Sequence, residues 1–558
     1  MQTRALTIKM QLALMVFAVA GALVVLAILA AAGPVPAEPG RLAQQELRVT
    51  NPGTGEPGPL SPVQKRAISQ GYLVPNPPAI ATDKAAANAR AASGSASSAA
   101  APPQQAPTAF RSWEGVLDTS VVAPSDSTGA IGTKRYIELV NRQFAIYNRT
   151  SNTPISTGTL NSLAGQLSSA NSFDPQIIWD PGTKRFYYLM DTLYSSTDNR
   201  ISWGFSKTSS PNSAADFCKY NVGHGSEFPD YPKLGDLGGT TGLILYGSNT
   251  FDGPSGAYLG SDLYSITKPP AGTTCPSASS FVVGAQFSLK DSDGTTPVFT
   301  PVPANQTDKN NKGWAVANTA LKPSTTLPTF KITKSASNTL VVAPDRNVSV
   351  SSYGVPPSAP QPGTTNKLDT LDSRITQAVS AIDPARSGQT AIWTQHTVSG
   401  GAGAEVRWYE INPNPSTPTL FQSGTVDGAS TGSSTRFIFN AAISPDRQVN
   451  GATKKFGSNM VLGFNSSSTT QMPDIRMASK IGTGAVTFAA PITSSSFSYQ
   501  DFSCSSGTCR WGDYSAATPD PATSSTATSG QVWLTNQFVK SGTTTGVGWG
   551  TWNWAASP

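Results

Sequence analysis

Arg374, His396 and Asp513 are residue types that could do chemistry together. A guanidinium is always charged and offers a planar fork of donors, so Arg374 suits an anionic or carbonyl group. Asp513 could accept hydrogen bonds from hydroxyls, or hold a cation such as calcium if neighbouring oxygens help. An imidazole changes charge near neutral pH, which would make binding at His396 pH-dependent. Up to 139 residues separate the three, so only a repeating fold can bring them to one place.

Such a repeat fills the last 450 or so residues. Its unit is an apolar strand, a tight Asp/Pro turn, an aromatic-rich strand and then a polar residue. The first clear copy runs Phe173-Asp174-Pro175-Gln176-Ile177-Ile178-Trp179, turns at Asp180-Pro181, and continues through Phe186-Tyr187-Tyr188-Leu189-Met190 to Asp191. Later copies turn at Asp383-Pro384, Pro445-Asp446 and Asp520-Pro521, and weaker ones near Asp236 and Asp308. The turns are 56, 72, 75, 63 and 74 residues apart. One hairpin cannot bury its own apolar face, so a spaced series must assemble radially or in a stack. Four-stranded blades around an axis fit this spacing. Six units after a first hairpin, Tyr136–Asn141 with Phe144–Asn148, predict an all-β, seven-bladed β-propeller, with six blades as the alternative. The chain's two ends are expected to close the ring, because an unpaired edge invites aggregation.

Aligned on this repeat, the second strands end at Asp191, Asn249, Asn318, His396, Asn465 and Asn536. The first strands begin near Asp174, Asp230, Tyr231, Arg374, Arg436, Asp513 and Tyr514. Both sets fall on one face of each blade and converge on one mouth of the central channel, the default place for a ligand. Asn and Asp also favour strand ends because they bond nearby backbone, so the same ring suits a structural role. Trp179, Trp314, Trp393, Trp533 and Trp552 fit inter-blade packing better than a carbohydrate platform.

Charge excludes nucleic acid as a partner. The net charge of +6 divides unevenly: residues 1–110 hold eight Lys/Arg against four Asp/Glu, and the remainder 31 against 29. No basic run of nucleic-acid type occurs. Arg4 and Lys9 precede the uncharged apolar run Leu12–Ala32. A run of about 20 such residues can span a bilayer, with its basic flank in the cytoplasm. Residues 1–32 therefore read as a cleaved signal peptide or an uncleaved signal anchor, and either puts the rest outside the cytoplasm, secreted or membrane-anchored. Residues 33–110 are rich in Pro, Ala and Ser and read as a disordered stalk, with a short helix within 62–75. Residues 111–558 form the propeller, expected as a monomer.

Four cysteines in an exported chain favour two disulfides. Cys504 and Cys509 enclose a four-residue loop, which leaves Cys218 with Cys275. No Cys-x-x-Cys pair or nearby His supports zinc, and no cofactor is implied.

Pro124–Gly132 followed by Tyr136–Tyr147 resembles the opening of a group of exported bacterial β-propellers. Phe173-Asp174-Pro175, Asp230–Gly235 and Arg510-Trp511-Gly512-Asp513-Tyr514-Ser515 resemble later signatures of the group. The match spans about residues 120–556. These proteins are similar in fold to sialidases but are largely without an assigned activity. The resemblance implies an exported propeller of sialidase-like fold; the stalk, the neutral polar surface and the incomplete catalytic set favour one that binds a glycan or protein ligand at the channel mouth, with a glycoside hydrolase of sialidase type and a structural envelope protein as alternatives. Arg374, Arg436 and Arg510 mimic the sialidase arginine cluster, Tyr514 stands where a nucleophile could, and Asp513 or Asp191 could serve as acid. No Glu lies at a matching repeat position, and no clean Ser-x-Asp-x-Gly-x-x-Trp turn occurs, so the catalytic set is incomplete.

Overall fold

The computed structural model describes residue 41 and residues 46–558, except 54, 71–72, 94–106, 119–121, 271–273, 309–311, 320–322, 345, 448–455, 525–526, 528–529 and 544–545. Seven antiparallel sheets follow one another along the chain. Their innermost strands are Thr128–Ile131, Asn171–Asp180, Glu227–Leu237, Val298–Pro303, Ile375–Asp383, Phe437–Pro445 and Ala516–Pro519. Each touches the innermost strand of the next sheet, and the seventh touches the first. The protein is a seven-bladed β-propeller.

The ring closes as the exposed-edge argument requires. Blade 7 takes three strands from the C-terminal end and its outermost strand, Thr108–Leu117, from the N-terminal side. Trp113 of that strand is buried edge-on against Tyr136, Tyr147 and Trp533, so the seam is also an aromatic core. The hairpin expected to start blade 1 supplies its second and third strands; the innermost strand is Thr128–Ile131.

Apolar residues pack between blades rather than at the axis. Trp179 joins Ile137 and Ile146 across blades 1 and 2, and Trp393 joins Ile438 and Leu462 across blades 5 and 6. Trp314 and Trp533 sit in equivalent clusters, whereas Trp552 is only partly buried.

The turn aspartates explain the repeat. Each ends an innermost strand, and most reach the next blade. Asp180 and Asp236 share the buried Lys268 ammonium at 3.0 and 2.7 Å. Asp383 accepts from Ser458 Oγ at 2.6 Å, Asp308 from Ile382 N at 2.9 Å, and Asp520 forms an ion pair with Arg149 of blade 1. A carboxylate with several acceptor sites can cap its own turn and stitch its neighbour at once.

The stalk expected over 33–110 is corrected where that stretch is described. Pro62–Gln70 is a helix, as anticipated within 62–75. Pro77–Ala92 is a second helix, capped by the Asn76 side chain on Ala79 N at 3.2 Å with prolines in its first turn. Val49–Thr50 adds a strand to blade 2. Composition misled because an Ala-rich run with an Asn-Pro start is also a good helix. The apolar run Leu12–Ala32 lies outside the described residues; among those described, no helix is long and apolar enough to cross a membrane.

Candidate functional site

A residue of positive φ marks the channel mouth in each of blades 1 to 6. Asp126, Asp174, Tyr231, Thr300, Ser373 and Asn440 lie at or just before the innermost strands of blades 1 to 6, all with φ between 47° and 71°. Non-glycine residues rarely adopt this region. In blades 2, 3, 4 and 6 the residue sits in a bulge that breaks strand pairing, as between Phe173 and Gln176.

The polar residues of the second strands hold these bends across blade boundaries. Asn141 accepts from Asp174 N and Asn249 from Thr300 N, each at 2.8 Å. Asn318 accepts from Ile375 N at 2.6 Å and donates to Ser373 O at 2.9 Å. Asn465 donates to Gln537 O at 2.9 Å, and Asn536 donates to Asn440 O at 2.9 Å. Buried backbone groups need partners, and a side-chain amide supplies donor and acceptor together. His396 keeps to its own blade, with Nδ1 3.0 Å from Ser373 O and Nε2 3.0 Å from the Tyr409 hydroxyl. Asp191 alone breaks the series: it is fully buried, and neither carboxyl oxygen has a hydrogen-bond partner among the described residues. Burial first, then Asp174 and Asp230 nearby, push its carboxyl well above the usual range.

Most of the strand starts lie close together. Arg374 donates to Asp372 through Nε and Nη2, both at 2.8 Å, and lies over the Tyr231 ring at 4.5 Å. The Tyr231 hydroxyl donates to Asp513 O at 2.8 Å. Arg510 grips Asp513 at 2.7 and 2.8 Å and also reaches Asp369 at 3.3 Å. Asp174 and Tyr514 meet through Pro175, whose carbonyl accepts from Tyr514 Oη at 3.1 Å. Arg436 stands apart, bonded to Thr431 and Gln471.

Sequence reasoning missed five members of this cluster. Asp126 accepts from Asp513 N at 2.7 Å. Lys233 Nζ sits 3.3 Å from the Tyr514 ring centre and 3.9 Å from that of Tyr231. Asp369, Asp372 and Lys84 complete the set, with Lys84 3.4 Å from Asp369 and 2.7 Å from Leu371 O. Asp126 and Lys233 stood beside candidate residues in the motifs; no repeat position marks the other three.

Burial dominates the electrostatics. It lifts Asp230 and Asp513 to about 7, although Arg374 and Arg510 respectively pull the other way. It raises Asp126 and Asp174 in the same sense and drives Lys233 well below the usual lysine range. Asp369 is the exception: burial opposes its ionisation, but Lys84 and Arg510 hold its carboxyl below the ordinary value. Among the described residues, no group of three or more His, Cys, Asp or Glu has metal-holding geometry.

The channel is nearly filled. Inside the ring of strands a cavity of about 30 Å³, beside Gln176 and Lys233, has room for about one water. Its mouth is covered by the chain itself: Leu73 N donates to Asp230 Oδ2 at 3.1 Å, and Arg374 Nη2 donates to Leu73 O at 3.4 Å. Beside the Pro77–Ala92 helix a groove of about 410 Å³ stays open, with Lys84, Asp369 and Arg510 along it and Ser505, Ser506 and Thr508 on its far side. Both expected disulfides, Cys218–Cys275 and Cys504–Cys509, are formed, and the second closes the loop beside this groove.

No protein-family model matches the chain, and no curated protein matches it. The resemblance to exported bacterial propellers gains no support from these comparisons. Among solved structures, an exo-β-1,3-galactanase from Clostridium thermocellum is 12% identical with a TM-score of 0.29, covering 67% of this chain and 79% of that one. A GH43 β-1,3-galactosidase is 9% identical with a TM-score of 0.29, covering 67% and 76%. The WD40 domain of SCAP from fission yeast is 9% identical with a TM-score of 0.30, covering 77% and 95%. The seven-bladed architecture rests on strand pairing within this chain.

Proposed function

We propose that this chain is a ligand-binding propeller working outside the cytoplasm, secreted or tethered, and that its ligand is a glycan held in the groove beside the Pro77–Ala92 helix. The observation that carries this reading is the groove itself. It is open, and it sets the linked charges of Lys84, Asp369 and Arg510 beside the hydroxyls of Ser505, Ser506 and Thr508 and the apolar Val74, Ile80 and Leu371. Sugar hydroxyls both donate and accept, so such a surface can satisfy them. Two disulfides are in keeping with an oxidising compartment.

A glycan array and a cell-wall pull-down with the full chain test it. Ser506→Trp fills the groove from an exposed position and is expected to abolish capture while leaving the melting temperature unchanged. Absence of binding across broad panels, or capture indifferent to Ser506→Trp, overturns the reading.

A glycoside hydrolase is the second reading, favoured by one observation. Asp230 and Asp513 are two buried carboxyls gathered at the channel mouth, and burial raises both, though a substrate would have to displace the Leu73 segment to reach them. An aryl-glycoside screen decides it: activity lost on Asp513→Asn with the fold intact supports catalysis, and absence of turnover removes it.

A further inference from the structure

We propose that the covered channel mouth is a recognition site for an extended peptide bearing an apolar side chain, and that the Leu73 segment is its resident, exchangeable occupant. The site lies beneath residue 73 and is distinct from the groove beside the helix, although Val74 and the helix that follows form one wall of that groove.

The propeller reads both polar groups of the Leu73 main chain. Asp230 accepts the N–H, and Arg374 donates to the carbonyl. A donor and an acceptor aimed at one residue's backbone recognise a peptide whatever its sequence. Specificity then falls to the side chain. Leu73 is 6% exposed and packs with Phe173, Leu193, Phe228 and Phe251. These four come from blades 2 and 3, and Leu60, Val63, Ala67 and Ile68, upstream of Leu73, pack against the same cluster.

The chain that follows Leu73 is attached mainly through polar contacts. The Pro77–Ala92 helix buries only Ala87 among its residues. Its hold on the ring comes from polar pins: Lys84 on Asp369, Thr370 and Leu371 O, and Asn88 accepting from Ser358 N at 3.1 Å. Upstream, Gln64 donates to Asn199 at 2.7 Å and Ser61 to Gly253 O at 2.6 Å. The Lys84 and Asn88 contacts are only partly buried and exchange readily with water, whereas the Gln64–Asn199 and Ser61–Gly253 bonds are buried. The ring does not need this segment to close, because the closing strand, Thr108–Leu117, lies downstream of it.

The test uses the full chain with a site-specific protease sequence placed within residues 94–106. After cleavage and dilution, size exclusion follows the N-terminal piece, and circular dichroism with thermal melting follows the ring. A fluorescent peptide spanning residues 70–77 is then titrated by anisotropy. The expected result is release of the piece, a ring that still melts cooperatively, and saturable peptide binding. A Leu73→Asp peptide should bind at least tenfold more weakly, as should the wild-type peptide to a nicked Asp230→Ala protein. In the uncut chain, Leu73→Asp should speed hydrogen exchange in residues 73–93 while the blades stay protected. A ring that unfolds when the piece leaves makes the segment a structural strut and overturns the proposal. So does a piece that stays bound under excess peptide, or an emptied ring to which the peptide does not bind saturably. Glycan capture is scored on the uncut chain, because the released piece carries Lys84 and one wall of the groove, so loss of binding at one site stays distinguishable from loss at the other.

Discussion

Arg374 and Asp372, two residues apart, face each other in a closed fork: Nε meets Oδ1 and Nη2 meets Oδ2, both at 2.8 Å, with both side chains essentially excluded from solvent. Breaking a buried pair from one side leaves an uncompensated charge. Arg374→Ala should therefore destabilise the propeller by about 3–5 kcal/mol. Asp372→Asn combined with Arg374→Met should recover much of that loss in urea denaturation. A single variant within about 1 kcal/mol of the parent contradicts the assignment.

Asp191→Asn should stabilise the protein, and the gain should depend on pH. Asp191 occupies a position that Asn holds in the equivalent strands of blades 3, 4, 6 and 7. Its folded pKa lies well above 3.8, so the folded state binds the proton more tightly than the unfolded chain. The parent thus loses stability as pH rises from about 4 through the folded value. Asparagine removes that loss. Melting temperatures should coincide near pH 4 and separate by several degrees at pH 8, a gain of about 1–3 kcal/mol. Equal separation at both pH values sinks the explanation.

The two disulfides should differ in weight. Cys218–Cys275 closes 57 residues, and Cys504–Cys509 only 5. On the loop-entropy argument, Ser substitution of the first pair costs about 4 kcal/mol and of the second about 2 kcal/mol. Denaturation of the two double-serine variants without reductant checks the order.

Trp113→Ala should cost about 3–5 kcal/mol, because it empties the aromatic seam between Tyr136, Tyr147 and Trp533. Its effect should appear mainly as faster unfolding if the seam forms after the transition state, which stopped-flow kinetics reads directly.

Fold was legible because the repeat is physical. Asp180, Asp236, Asp308, Asp383 and Asp520 recur because each ties its own turn to a neighbour, and the aromatic second strands recur because each fills an inter-blade gap. The ring of Asn residues was visible from the alignment, whereas His396 bonds only within its own blade, to Ser373 O and the Tyr409 hydroxyl. The ring's partners were not visible: Asn318 bonds backbone of the next blade, 55 and 57 residues away. Leu73 was hidden more deeply. Nothing local in a Pro- and Ala-rich stretch marks a residue whose partners are 157 and 301 positions downstream. The Asn76-Pro77 helix start was the one available signal, and it speaks only of the helix.

The strand that completes blade 7 is made early and used late. Val116 and Thr551, hydrogen-bonded across that seam, are 435 residues apart. At ordinary ribosomal rates of 5–20 residues per second, that is roughly 20–90 s of waiting. During that interval the strand Thr108–Leu117 has no partner, and six blades stand as an open arc with an unsatisfied edge at each end. The nascent chain must keep that strand from mispairing until the last tryptophans arrive. A companion that shields extended segments during synthesis, or transit through a membrane before any blade has formed, would each meet that demand.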